Sequence, residues 1–253
     1  MSWENLDWEV LDRLRGTFLS EAKAGGPYWH TITDLECYDL TYAERIGWKW
    51  DAVLRELRRR GWTPCSEPGR TACSEPGRTA CGEPCRTAGG EQSCPHEVTK
   101  AGLTVLDWGC GSGVAGRRVV EFFGAGNFSR LLLHDHSALA MDYAEHRGRQ
   151  AFPALTVERA SHRFRQVEPV DVLVVSHVLN ELDDVARAEL ADQLNRARSV
   201  LWVEPGTHEV SRALVGWRER LCAAGAQPVA PCTHEAACGV LTAGNERHWC
   251  HFF

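Results

Sequence analysis

The chain has 253 residues, 43% hydrophobic and 25% charged, with a formal net charge of −6. Its length suits one large domain, or one domain with a helical extension, of ordinary soluble composition. No apolar run reaches the roughly 18–20 residues that cross a bilayer, and the net negative charge does not mark a general nucleic-acid binder.

The start, Met1-Ser-Trp-Glu-Asn-Leu-Asp-Trp-Glu9, is acidic. It lacks the basic-then-apolar pattern of a signal peptide and the Arg-rich, acid-poor pattern of a transit peptide, so a cytoplasmic location is expected. Residues 2–19 read as an amphipathic helix capped by Ser2, with Trp3, Leu6, Val10, Leu14 and Phe18 at helical spacing. A second helix is expected over 41–60, with Trp48, Val53, Leu54 and Leu57 as apolar positions and Gly61 as its stop. Arg55 and Arg58–Arg60 read as a solvated basic helix end that suits the helix dipole. RNA binding is allowed by this pattern, not established by it. Residues 1–62 are therefore a helical N-terminal cap.

Residues 65–88 hold three copies of an eight-residue unit, two reading Cys-Ser-Glu-Pro-Gly-Arg-Thr-Ala and the third Cys-Gly-Glu-Pro-Cys-Arg-Thr-Ala. Solenoid repeats are longer, and these copies have almost nothing apolar to bury. The stretch 63–100 is expected to be a low-complexity linker. Tandem duplication explains its regular cysteines (Cys65, Cys73, Cys81, with Cys85 and Cys94) without ligand geometry.

Alternating strands and helices follow. Strands are expected at Thr104–Asp107, Arg130–His134, Leu155–Glu158, Asp171–Ser176 and Val200–Glu204. Helices are expected at Gly113–Phe123, Ala138–Ala151, Asp184–Ala197 and Ser211–Ala224, the last stopped by Gly225. Apolar strands separated by helices predict a doubly wound α/β sheet, mostly parallel and covered on both faces, over 101–226. At most one further short strand is expected, near Gln227–Ala230.

Within this pattern Val105-Leu-Asp-Trp-Gly-Cys-Gly-Ser-Gly113 places an acid at the end of the first strand and a glycine turn before a helix. Such a turn forms the crevice where doubly wound sheets bind ligands. It resembles motif I of class I methyltransferases, an acid followed by Gly-x-Gly-x-Gly. That resemblance implies a Rossmann-like class I fold binding S-adenosylmethionine, with Gly109, Gly111 and Gly113 facing its methionine part and Asp107 near its charged end. A dinucleotide reading competes, because Gly111-Ser-Gly-Val-Ala-Gly116 also matches Gly-x-Gly-x-x-Gly. Asp135, after the second strand, suits the ribose of either cofactor. Asp107 favours the methyl donor: a carboxylate repels a pyrophosphate and attracts an aminium or sulfonium. After the fourth strand, Ser176 and His177 sit where a donor or an acceptor is contacted, while Asn180 and Glu181 can equally begin a helix.

The C-terminal stretch, 227–253, gathers Cys232, Cys238 and Cys250 in a Cys-x5-Cys-x11-Cys-His pattern with His251, and with His234 and His248 nearby. Zinc or an iron–sulfur cluster suits such ligands, as do plain buried thiols beside surface histidines.

Leu106-Asp-Trp-Gly-Cys-Gly-Ser-Gly113, Ser176-His-Val-Leu-Asn-Glu-Leu182, Val203-Glu-Pro-Gly-Thr-His208, Val229-Ala-Pro-Cys-Thr-His-Glu235 and Trp249-Cys-His-Phe252 together resemble the methyltransferase-like proteins of ribosomal small-subunit assembly, mitochondrial and bacterial. The likeness covers roughly 104–253 and extends to Tyr42-Ala-Glu-Arg45 and Trp48-Lys-Trp-Asp-Ala-Val53. It implies S-adenosylmethionine, small-subunit ribosomal RNA as partner, and a [4Fe-4S] cluster on four cysteines. Three of these map to Cys232, Cys238 and Cys250; the family's fourth lies downstream of Phe253. Cys222, a histidine, or zinc in place of the cluster stay open. The last one or two strands of a seven-strand class I sheet are likewise expected to be missing.

Three functions are open on this reading: a methyltransferase acting on ribosomal RNA, a non-catalytic assembly factor that binds S-adenosylmethionine and a cluster, and a small-molecule methyltransferase. No Asn-Pro-Pro-Tyr-type segment and no catalytic cysteine follow the fourth strand.

Overall fold

A computed structural model describes residues 2–19, 28–64, 102–161, 168 and 170–250. Three helices come first: α1 (Trp8–Leu19), α2 (Ile32–Leu40) and α3 (Tyr42–Arg59). The α/β part follows as β1 (Leu103–Trp108), α4 (Val114–Phe123), β2 (Phe128–His134), α5 (Ala138–Ala151), β3 (Thr156–Arg159), β4 (Val172–Ser176), α6 (Asp184–Arg196), β5 (Ser199–Val203) and α7 (His208–Ala223).

The five strands form one sheet in the order β3-β2-β1-β4-β5, every pairing parallel. β1 lies at the centre, Asp107 opposite Leu133 on one side and Val174 on the other. The order reverses at β1, so the crevice at its carboxyl end is the topological switch point of an open doubly wound sheet. This is the expected Rossmann-like fold.

Strand residues alternate between two buried layers. Val105, Leu131, Leu133, Val172, Val174, Leu201 and Val203 pack on one face with α4 and, from the N-terminal region, Trp50, Leu54 and Leu57 of α3. Leu106, Leu132, Leu173 and Val175 pack on the other with Leu190 and Leu194 of α6 and the apolar stripe of α7. Fully burying a side chain the size of Leu54 contributes about 1.5–3 kcal/mol, so α3 is an integral part of the domain's core.

The expected helix over 2–19 is broken. A short 3-10 turn at Trp3–Asn5 precedes α1, because Asp7 Oδ1 accepts from Glu9 N and Val10 N and caps a new start; the Ser2 side chain caps nothing. α2 was not expected. Thr31 and Asp34 form a reciprocal capping box at its start. α3 matches the expected 41–60 helix closely, and α7 begins three residues before the expected Ser211. Gln227–Ala230 makes no strand; Val229 and Ala230 pack against the first core layer instead. The linker expected over 63–100 lies outside the described residues, apart from Thr63 and Pro64. Among the described residues no helix is long and apolar enough to cross a membrane.

Candidate functional site

The chain leaves β1 through a turn that only glycine fits. Gly109 has φ +73°, and a Cβ there would stand 2.5 Å from Val178 Cγ1. Gly109 N and Cys110 N both donate to His134 O at the end of β2, at 2.8 and 2.9 Å. Gly111 also has positive φ, but a Cβ there would meet nothing within 4 Å. Its backbone faces open space, as a ligand-approach position must. Gly113, at φ +77°, opens α4.

Asp107 is completely buried. Its Oδ2 accepts from Gly116 N at 2.9 Å, while Oδ1 finds no hydrogen-bond partner among the described residues; the buried Ser112 Oγ is orphaned in the same way. Such groups are costly unless something satisfies them. Burial pushes the Asp107 carboxyl up to about 7, against the opposing pull of the Gly116 N–H and Arg117; the charge of Asp135 adds to the rise. Asp135 fixes the loop from the other side, its Oδ2 accepting from Gly111 N and Oδ1 from Ser137 N, both at 2.9 Å.

A second edge forms where β4 and β5 end. His177 is the one non-glycine residue with positive φ (57°) among the described residues, a conformation that costs roughly 1–2 kcal/mol. Contacts on several sides hold it. Its N–H donates to Val203 O at 2.9 Å, its Nδ1 lies 3.1 Å from Ser176 Oγ, and its Nε2 lies 2.9 Å from Lys49 Nζ of α3. An ammonium has no lone pair, so Lys49 donates, Nε2 accepts, and the ring proton sits on Nδ1 facing Ser176. Trp50 Nε1 also donates to Ser176 Oγ, at 3.0 Å. Burial, then the Lys49 charge, depresses the His177 pKa to about 3, so the ring is neutral. Glu204, at the end of β5, accepts from Val178 N, Leu179 N and Trp202 Nε1. Burial raises its carboxyl to about 7.

The N-terminal helices also reach the glycine loop. Arg117, in the first turn of α4, donates to Ser112 O at 2.6 Å and to Asp39 Oδ1 of α2 at 2.8 Å. Asp39 also pairs with Arg147 at 3.0 Å and accepts from Tyr143 Oη at 3.3 Å. At the mouth, Tyr28 Oη donates to Glu181 Oε2 at 3.3 Å.

Asp107, Gly109, Gly111, Gly113 and Asp135 thus form one edge of the crevice and Ser176 and His177 the other. Lys49, Trp50, Asp39, Arg117 and Glu204 were missed. Glu204 had a signal, an acid directly after an apolar strand. Lys49 and Trp50 had none, since their partners lie more than 120 residues away.

The cysteine segment behaves differently. Cys232, Cys238 and Cys250 are half-buried free thiols, and among the described residues no three His, Cys, Asp or Glu side chains are grouped to hold a metal ion. His251 lies outside the described residues. The segment is tied to α7 through its backbone instead. Arg212 donates to the carbonyls of Val240, Asn245 and His248, Ser211 to that of Cys250, and Arg218 to those of His234 and Ala236. The donor set, as placed, does not fit the expected cluster or zinc.

The strand order defines a doubly wound, Rossmann-like α/β protein with a candidate ligand crevice at the β1 switch point. Residues 94–253 match the family described as mitochondrial small ribosomal subunit Rsm22. The chain belongs to that family. No curated protein matches it. Among solved structures, it is similar to an O-methyltransferase family protein from Burkholderia thailandensis, with TM-score 0.45 and 12% identity, over 87% of this chain and 64% of that one. It is also similar to a candidate RNA methyltransferase from Pyrococcus horikoshii, with TM-score 0.37 and 15% identity, over 48% of this chain and 60% of that one. The chain therefore spans less than two thirds of either relative's length.

Proposed function

We propose that this chain is an S-adenosylmethionine-binding, methyltransferase-like protein that acts on, or helps assemble, the RNA of the small ribosomal subunit. The observation that carries the ligand is Asp107, a fully buried carboxylate at the switch point with one oxygen unsatisfied. A cationic ligand suits it, and a pyrophosphate does not. Family membership supports the ribosomal setting.

In this reading Asp107 and the open backbone at Gly111 hold the methionine end, and Asp135 offers its remaining lone pairs to ribose hydroxyls. S-adenosylmethionine, when bound, supplies an electrophilic methyl group on a sulfonium. The protein's part is orientation and exclusion of water. His177, neutral and fixed by Lys49, presents no positive charge of its own to repel a cationic donor. The same pairing favours a second reading, a scaffold without turnover: the Nε2 lone pair that would accept a proton is already engaged by Lys49.

Calorimetric titration of the full chain with S-adenosylmethionine and, separately, with NAD tests the ligand. Binding of the first and not the second is expected; the reverse refutes the assignment. Transfer of a labelled methyl group to small-subunit RNA then separates enzyme from scaffold.

A further inference from the structure

The acids of α3 lie off its outward ridge and are paired, while its outward cations face solvent. Glu44 and Asp51 pair with Arg118 of α4, at 2.9 and 3.6 Å, and Glu56 is shared by Arg59 and Arg60, at 2.7 Å each. At 3.6 residues per turn, Arg45, Trp48, Ala52, Arg55 and Arg59 fall within an arc of about 80° that contains no acid. Arg45, Arg55 and Arg59 are exposed there, and the Trp48 indole is 60% exposed between them. The opposite face of the helix is in the core through Trp50, Leu54 and Leu57, so the ridge cannot turn inward. It is a local positive stripe about 21 Å long on a chain of net charge −6.

One end of the ridge meets the site. Arg45 lies one helical turn before Lys49 on α3, and Lys49 in turn hydrogen-bonds His177. We infer that the outward ridge of α3 is a binding surface for a single-stranded segment of RNA, guanidiniums on its phosphates and Trp48 stacked on a base, leading that strand to the β4 edge of the crevice. The inference rests on the proposed function only for the direction of approach. Arginine with an exposed aromatic is the combination that single-stranded nucleic acid takes, because every base offers a π face. An acidic protein surface would use the arginines and leave the indole idle.

The test is fluorescence anisotropy of the full chain with a labelled single-stranded RNA 20-mer across a salt series, with poly-glutamate as competitor. Arg45→Gln with Arg55→Gln should weaken binding roughly tenfold and lower the log–log salt slope by about 1.4, near 0.7 per phosphate contact. Trp48→Ala should weaken it roughly 5- to 100-fold and leave the slope unchanged. All three positions are exposed, so melting temperatures should stay at the wild-type value. Wild-type affinity in both variants, or no RNA binding by the wild type, overturns the proposal. Equal competition by poly-glutamate with an inert Trp48→Ala also overturns it, in favour of an acidic protein partner. S-adenosylmethionine titration of the same variants should be unchanged. A wild type that binds RNA but not the donor refutes the donor site and leaves this surface standing.

Discussion

The two edges of the crevice are built in opposite ways. The glycine-loop edge, at the ends of β1 and β2, is made by consecutive residues: Asp107, a glycine turn, and the first turn of α4, with Asp135 close by across one strand pairing. The β4–β5 edge is made by residues distant in sequence. His177, in its strained conformation, is held by Lys49, and Ser176 beside it by Trp50. A local edge can be specified by a motif, whereas a composite edge exists only once the N-terminal helices have docked. Asp39 and Arg117 extend that dependence a little way into the glycine-loop edge.

The largest expected effect breaks the local edge. Gly109→Ala adds a Cβ 2.5 Å from Val178 at positive φ. It should cost about 2–4 kcal/mol of stability from overpacking and backbone strain together, read by urea denaturation. A loss under about 0.5 kcal/mol would show that the turn tolerates a side chain. Next, Arg117→Lys keeps a positive charge near Asp107 but cannot bridge Ser112 O and Asp39 at once. Donor affinity should fall roughly 3- to 10-fold, the value of a charge-assisted hydrogen bond or less; unchanged affinity would confine the N-terminal helices to packing. Smallest on the donor is Lys49→Met, which should leave S-adenosylmethionine affinity within about 3-fold. Its effect falls on His177, whose pKa, depressed to about 3, should rise once the neighbouring charge is gone. An imidazole titration followed by NMR that does not move would contradict the pairing.

That contrast explains what could be read from the sequence. The strands and their parallel, doubly wound class, the glycine turn and Asp107 at a strand end were legible because each follows from short-range pattern: apolar runs, a turn that demands positive φ, an acid at a strand end. α2 was missed although Thr31 and Asp34 signal its start, because its nine residues carry only a weak apolar stripe. Lys49, Trp50 and Asp39 were illegible because their roles arise from contacts across 78 to 128 residues. The C-terminal cysteines are the converse case. Their spacing suggested a ligand set, but a metal site needs convergence in space, and the described residues use backbone carbonyls, not thiols, to anchor that segment to Arg212 and Arg218.

The most direct test of the account is the pH dependence of S-adenosylmethionine affinity in the wild type and in Asp107→Asn. Burial raises the Asp107 carboxyl to about 7. A carboxyl whose folded pKa exceeds its unfolded value holds its proton more tightly when folded, so it lowers the stability of the free protein as pH rises from about 4 to 7. Over the approach to and passage through pH 7 the same group becomes the anion that a cationic ligand needs. Wild-type affinity should therefore climb between pH 6 and 8. In Asp107→Asn it should be roughly 10- to 100-fold weaker at pH 8 and nearly flat with pH. Equal affinities and equal pH profiles in the two proteins would contradict the placement of the donor at Asp107.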